Sequence, residues 1–228
     1  MFKGKRLFKR FFVPTKGYST KKLKKALSGY SIDASVICSV VPAVTRTVAG
    51  GLSKSPGTSL YILGKNMEVP LKNLYRNPLQ VGFDRLVNAY AGIKFYGAPI
   101  IVVDFGTAIT LDVISKDKAY MGGIILPGLG ISLRALSQET ALLPRIELSR
   151  PKEFIGRDTR NSMLSGIFYG FASAVDLLSL KIKKKIGENA KVIGTGGNII
   201  SIARYCQEID SIDQDLTLKG ISLIFRNK

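Results

Sequence analysis

Histidine is missing from all 228 residues. That absence removes serine–histidine triads, imidazole acid–base chemistry and histidine metal ligands together. Any proton transfer falls to Asp, Glu, Lys, Tyr or Cys. Cysteine is scarce as well. Cys38 and Cys206 are too few for a disulfide framework, so a reducing cytoplasm is the expected compartment. Long apolar runs are lacking: Asp104 and Asp112 interrupt the best candidate for a membrane span. Acids are absent before Asp33, a region that holds Lys3, Lys5, Arg6, Lys9, Arg10, Lys16, Lys21, Lys22, Lys24 and Lys25. This basic start is not followed by the apolar core of a secretory signal, although its lack of acids is shared with organelle transit segments.

What is present is globular: 46% hydrophobic and 22% charged residues, a length that suits one large domain or two small ones. Lys and Arg number 34 against 16 Asp and Glu, a net charge of +18. Such an excess favours anionic partners, whether nucleic acid, acidic lipid or nucleotide phosphate. The basic start and a second cluster, Lys181 and Lys183 to Lys185, read equally as solvated faces.

The most informative stretch is Ile100-Ile101-Val102-Val103-Asp104-Phe105-Gly106-Thr107-Ala108, after which the apolar run resumes to Val113. Its β-branched residues predict a buried strand that delivers a carboxylate, a bare backbone and a hydroxyl to a hairpin turn. Phosphates with a bound cation need those groups close together. Two buried strands joined by a polar turn would look the same.

Around it the chain alternates. Leu7 to Val13 is ambiguous between a basic amphipathic helix and a strand ending at Pro14. Ser19 or Thr20 caps a predicted helix to about Leu27, ended by Gly29. A strand is expected over Ala34–Val41, stopped by Pro42, then a helix from Thr45 to Leu52 before the turn at Ser55, and a short strand at Tyr61–Leu63. Asn66 to Gln80 reads as a surface loop leading to Gly82-Phe83-Asp84-Arg85 and a helix. Asp84 and Arg85 thus fall at a helix start, where backbone N–H groups favour anions. A glycine-interrupted strand is expected from Tyr120 to Gly128, a helix from Ile131 to Ala141, and a long helix from about Asn161 to Ile186. A strand at Lys191–Gly194 delivers Thr195-Gly196-Gly197, followed by helices at Ser201–Cys206 and Leu216–Arg226. Alternating strands and helices give an α/β class, in which ligands collect where strands end.

No Walker lysine motif occurs, and Asp104-Phe105-Gly106 lacks the glycine-rich loop, paired lysine and catalytic loop of protein kinases. Taken in order, however, several motifs resemble the type III pantothenate kinase family. They are Ser39-Val40-Val41-Pro42, Gly82-Phe83-Asp84-Arg85, Asp104 to Ala108, Gly122-Gly123 through Pro127-Gly128, Thr140 to Pro144, Gly156 to Thr159, and Thr195-Gly196-Gly197. The resemblance covers nearly the whole chain.

It implies two ribonuclease-H-like halves of the actin, Hsp70 and sugar kinase superfamily, residues 1–95 and 96–228, facing across a cleft. It also implies a homodimer with the pantothenate site near its interface. The implied reaction is ATP-dependent phosphorylation of pantothenate, the first step towards coenzyme A, with Mg2+ on the nucleotide and a monovalent cation (potassium or ammonium) beside it. Carried over by position, Asp84 resembles the general base. Tyr75, Gly82, Phe83, Arg85 and Thr159 resemble pantothenate contacts. Gly106 and Thr107, with Thr195, Gly196 and Gly197, resemble the ATP side, and Asp104 the potassium ligand. A carboxylate that takes an alcohol proton suits phosphoryl transfer, which relies mainly on positioning and charge neutralisation. Asp84 as a plain helix cap paired to Arg85, and Tyr75 as a surface aromatic, are the bland alternatives.

The same resemblance expects an earlier strand carrying Asp-x-Gly-Asn-Thr, the first phosphate loop, and Met1 to Lys5 align with the turn beyond it. Either a start inside a longer gene or a short paralogue would account for this, and a chain of this extent is expected to be a poor kinase. The competing function class is a non-catalytic regulatory or nucleic-acid-binding protein. No helix-turn-helix or aromatic-interleaved basic stripe supports it, and a membrane partner is not expected.

Overall fold

The computed structural model describes residues 1–13, 18–53 and 57–228; Pro14, Lys16 and Ser55 lie outside them. The chain divides into two compact units. One comprises Met1–Leu71, Asn77–Ala91 and Thr217–Lys228; the other comprises Lys72–Arg76 and Gly92–Leu216.

The second unit is built on a six-stranded sheet. Strands β6 (Ile100–Phe105), β7 (Ala108–Ile114) and β8 (Ala119–Pro127) form an antiparallel meander. On the other side of β6, β9 (Lys191–Thr195) and then β10 (Ser211–Ile212) pair in parallel. The two-residue β5 (Lys72–Asn73) adds to the outer edge of β8. A meander of three strands extended by two parallel ones on the far side of the first is the ribonuclease-H-like order. It follows from the sequence: β6 reads apolar at Ile100 to Val103 because both faces are covered, all four being fully buried. The core packs Val103, Phe105 and Leu111 against Leu164, Phe168 and Val175 of α5 (Thr159–Ile186). Each such side chain contributes roughly 1.5–3 kcal/mol on burial.

Helix α5 is 28 residues long and passes, by length and composition alone, as a membrane span. Serines, glycines and Asp176 interrupt its apolar residues, so it does not read as an uninterrupted apolar run. Of its most apolar window 44% is buried inside the protein, and Leu164, Ile167, Phe168, Ala172 and Val175 belong to the core. Helix α4 (Leu129–Gln138) packs beside it, starting two residues before the Ile131 expected and ending short of Ala141. The expected helix after Thr195 is a four-residue α6 (Ile199–Ile202) followed by one 3-10 turn, Ala203–Tyr205.

In the first unit, a hairpin of β1 (Phe2–Lys3) and β2 (Arg6–Leu7) precedes α1 (Thr20–Leu27). Ser19 caps α1, its Oγ accepting from Lys22 N–H at 3.3 Å. Strand β3 (Ala34–Ile37), helix α2 (Pro42–Leu52) and strand β4 (Ser59–Ile62) form a parallel βαβ unit. Strand β3 stops four residues earlier than the apolar run suggests. Ser39 Oγ accepts from Val41 N–H at 3.1 Å, turning the chain, and Pro42 then opens α2 at the position where a missing N–H costs nothing. The start of α3 (Phe83–Tyr96) and the body of α7 (Leu216–Arg226) complete this unit. Val87 and Tyr90 bury with Leu63, Met67 and Ile224. Among the described residues its sheets are only two-stranded.

Candidate active site

Two clusters of site residues form, one in each unit. In the first unit Asp84 stands in the opening turn of α3, half-buried, with Arg85 N–H donating to its Oδ1 at 2.9 Å. Its position depends on Gly82, where a Cβ would overlap that same carboxylate oxygen and press on Val40 at 3.1 Å. Phe83 lays its ring over Gly64, on a turn that sequence reasoning passed over; an isolated glycine after a short strand was the only signal. Gly82 and Phe83 help line a cavity of about 700 Å3 with Ser39, Val40, Arg46 and Lys65. Two cations on its wall suit an anionic or strongly polar ligand. Cys38, at the end of β3, has its thiol pushed up to about 12, by burial first and then by the Asp84 charge. It stays protonated beside the carboxylate.

In the second unit the end of β6 presents Asp104, half-buried, opposite Thr195 of β9. Gly106 N–H donates to Ala108 O at 3.0 Å and closes the hairpin turn. Two glycines clamp that turn. Gly128 lies so close to the Gly106 and Thr107 carbonyls that any Cβ would collide with them. Gly196, at φ +96, leaves no space for a side chain between itself, the Asp104 carboxylate and the Phe105 backbone nitrogen, 2.7 Å from where a Cβ would be. Asn198 N–H then ties the β9 turn to Phe105 O at 3.0 Å. The sequence motif did not reach Asn198. Thr107 and Gly197 are exposed, and Gly197 has open space above it. Thr195 differs: its Oγ1 is buried and has no hydrogen-bond partner among the described residues. Its side chain therefore faces inward, and the backbone of Gly196 and Gly197 forms the accessible surface.

Asp104 is a hard oxygen donor and the sequence has no histidine, which fits Mg2+ or a monovalent cation and not a soft transition metal. Among the described residues no cluster of three or more Asp, Glu or Cys offers a dedicated cage. A cation here would be held by one carboxylate, backbone oxygens and the phosphates it accompanies.

Thr159 and Tyr75 also belong to this unit. Thr159 is the exposed first residue of α5, beside its cap Asp158, on the rim of a groove of about 1010 Å3 between α4 and α5. Asp158 Oδ1 accepts from Asn161 N–H at 2.8 Å, and its Oδ2 from the Asn161 amide at 2.6 Å; these bonds hold its carboxyl below the ordinary value. Tyr75 is half-buried, its ring against Gly122.

With this geometry in view, a protein-family model described as type III pantothenate kinase matches residues 1–180. The chain belongs to that family. A type III pantothenate kinase from Halalkalibacterium halodurans is 45% identical over 195 residues, 86% of this chain and 77% of the relative. One from Rubrobacter xylanophilus is 41% identical over 209 residues, covering 88% and 79%. A crystal structure described as a Baf family transcriptional activator from Campylobacter jejuni aligns with a TM-score of 0.59 at 21% identity, over 90% of this chain and 87% of that one. That likeness concerns the fold. The expected α/β class is borne out by the fold, and the family read from the motifs by these relatives.

Proposed function

We propose that the chain phosphorylates pantothenate with ATP, giving 4′-phosphopantothenate at the first step of coenzyme A synthesis, in the cytoplasm and as a homodimer. In this reading the chain has an N-terminal half, 1–95, and a C-terminal half, 96–228, the latter carrying the nucleotide segments. The observation that carries the reading is family membership that includes the Gly82–Arg85 segment, with Asp84 held at a helix start beside a cavity.

In this reading the primary hydroxyl of pantothenate attacks the γ-phosphorus. The bond from that phosphorus to the β,γ-bridging oxygen breaks, and Asp84 accepts the hydroxyl proton. Phe83 and Tyr75 supply apolar walls, the backbone of Gly82 allows close approach, and Arg85 and Thr159 supply donors to the polar parts of pantothenate. Gly106 and Thr107, with Thr195 to Gly197, receive the phosphates and adenosine against bare backbone. Asp104 takes the monovalent cation, which with Mg2+ on the nucleotide offsets phosphate charge when bound.

The test is phosphorylation of pantothenate by this chain, with ATP, magnesium and potassium each omitted in turn and Asp84→Asn as control. Product that depends on all three and disappears with the substitution is expected. Salt-sensitive DNA binding without turnover would overturn the reading in favour of a regulatory protein. Light scattering checks the dimer.

A further inference from the structure

The second unit contains a buried carboxylate that the proposed chemistry does not use. Asp112, in the middle of β7, has no exposed surface. Tyr120 Oη donates to its Oδ1 at 2.8 Å and Thr110 Oγ1 to its Oδ2 at 3.0 Å. Tyr120 is itself fully buried. Replacing such a polar group by apolar residues of similar volume is often neutral or stabilising, so stability alone gives no reason for it. The arrangement does have a direction. Tyr120 is the residue on which the Tyr75 segment is built: Asn73 pairs with it in register, and Leu74 N–H donates to its carbonyl at 2.8 Å. The Tyr75 and Tyr120 rings lie 6.5 Å apart at 42°. Beyond Tyr120 the β7–β8 register shifts between Val113 and Ile114, and at Gly122, φ +121, a Cβ would stand 3.4 Å from the Tyr75 ring atoms Cδ2 and Cε2. The other carboxylate oxygen holds Thr110, which stands directly across the hairpin from Asp104.

We propose that Asp112 is a positioning residue for the alcohol substrate: by anchoring the Tyr120 hydroxyl it fixes the ring that Tyr75 leans on, and so sets the Tyr75 wall of the pantothenate site. The inference rests on the reading of Tyr75 as a pantothenate contact. Asp112 touches no substrate itself. A carboxylate in a low-dielectric interior gives a stronger and more directional anchor for a phenol than an apolar neighbour would. With the hydroxyl fixed at one end and the ring wedged at the bulge, Tyr120 has one orientation, and Tyr75 inherits it.

Calorimetric titration of pantothenate into the full chain, alongside ATP titration and thermal melts, tests this. Asp112→Ala and Tyr120→Phe are expected to weaken pantothenate binding by about five- to tenfold, the scale of one well-placed aromatic contact, and Tyr120→Phe to leave ATP binding within about twofold on that scale. Asp112→Asn, whose amide oxygen still accepts from Tyr120, is expected to restore near-native binding. In a Tyr75→Ala background, Asp112→Ala should add nothing further, because its effect passes through Tyr75. If Asp112→Ala fails to fold, Tyr120→Phe carries the comparison alone. Weakening by Tyr75→Ala without weakening by Tyr120→Phe overturns the positioning role only. Unchanged binding in Tyr75→Ala overturns the Tyr75 reading and the inference with it. Additive effects in the double variant, or equal loss of ATP and pantothenate binding in Tyr120→Phe, reduce Asp112 to a packing role.

Discussion

Gly196 and Asp104 share one space: the Asp104 carboxylate occupies the position that any side chain at 196 would need. The φ of +96 at Gly196 adds a second reason for glycine, since an L side chain is strained there. Gly196→Ala is therefore expected to cost roughly 1–3 kcal/mol of stability and to displace the carboxylate. Denaturant unfolding should show the first effect. Under the proposed function, a raised potassium requirement and a raised KM for ATP, with little change in KM for pantothenate, should show the second.

Asp84→Asn preserves shape and the bond from Arg85 N–H while removing the proposed proton acceptor. The expected result is a fall in kcat of about 10²- to 10⁴-fold, the usual worth of a general base. Melting temperature and pantothenate affinity should be nearly unchanged. A fall in affinity with kcat intact would assign Asp84 to binding.

Thr195→Val tests which part of the β9 turn faces ligand. The Thr195 hydroxyl is buried without a partner, so an isosteric apolar side chain should leave stability equal or raise it by about 1 kcal/mol. Because the accessible surface is the Gly196 and Gly197 backbone, KM for ATP should stay within about twofold, less than the loss of one hydrogen bond would produce.

One carboxyl and two thiols set opposite limits on stability with pH. The Asp158 carboxyl is held below its ordinary 3.8 by the Asn161 backbone and side-chain donors. The stability it contributes is complete above that ordinary value and is lost as pH falls through the lowered one. Asp158→Ala should lower the melting temperature at pH 7, and the difference should shrink in strong acid. The Cys38 and Cys206 thiols are pushed from 9.0 up to about 12, chiefly by burial. Their contribution is complete below pH 9.0 and is lost as the pH rises towards about 12, because the unfolded chain ionises first. Cys38→Ser should flatten part of that alkaline decline, and native-state alkylation at pH 8 should be slow at both thiols.

The hairpin that presents Asp104 was readable because β6 is buried on both faces and carries a run of β-branched residues. Asp84 was readable because a glycine, an acid and an amphipathic pattern mark a helix start. What stayed hidden has physical causes. Two-residue strands such as β5 and β10 have no periodicity, and their existence depends on the edges of β8 and β9. Strand β3 ends at Ile37, short of its apolar run, because a hydrogen bond from Val41 N–H to Ser39 Oγ turns the chain. Asp112 looked like an interruption in a hydrophobic stretch; its partner Tyr120 lies eight residues away on the next strand, and pairing register alone brings them together.

The meander has a further practical use. Its first turn, at Gly106 and Thr107, and its second, Ser115 to Lys118, lie at opposite ends of β7, about 20 Å apart for seven residues. The second turn is exposed at Lys116 to Lys118, and Lys118 has φ 61. A label attached at position 116 would therefore sit on the sheet away from the proposed nucleotide side, which makes that turn the natural handle for single-molecule or surface-immobilised work on this enzyme.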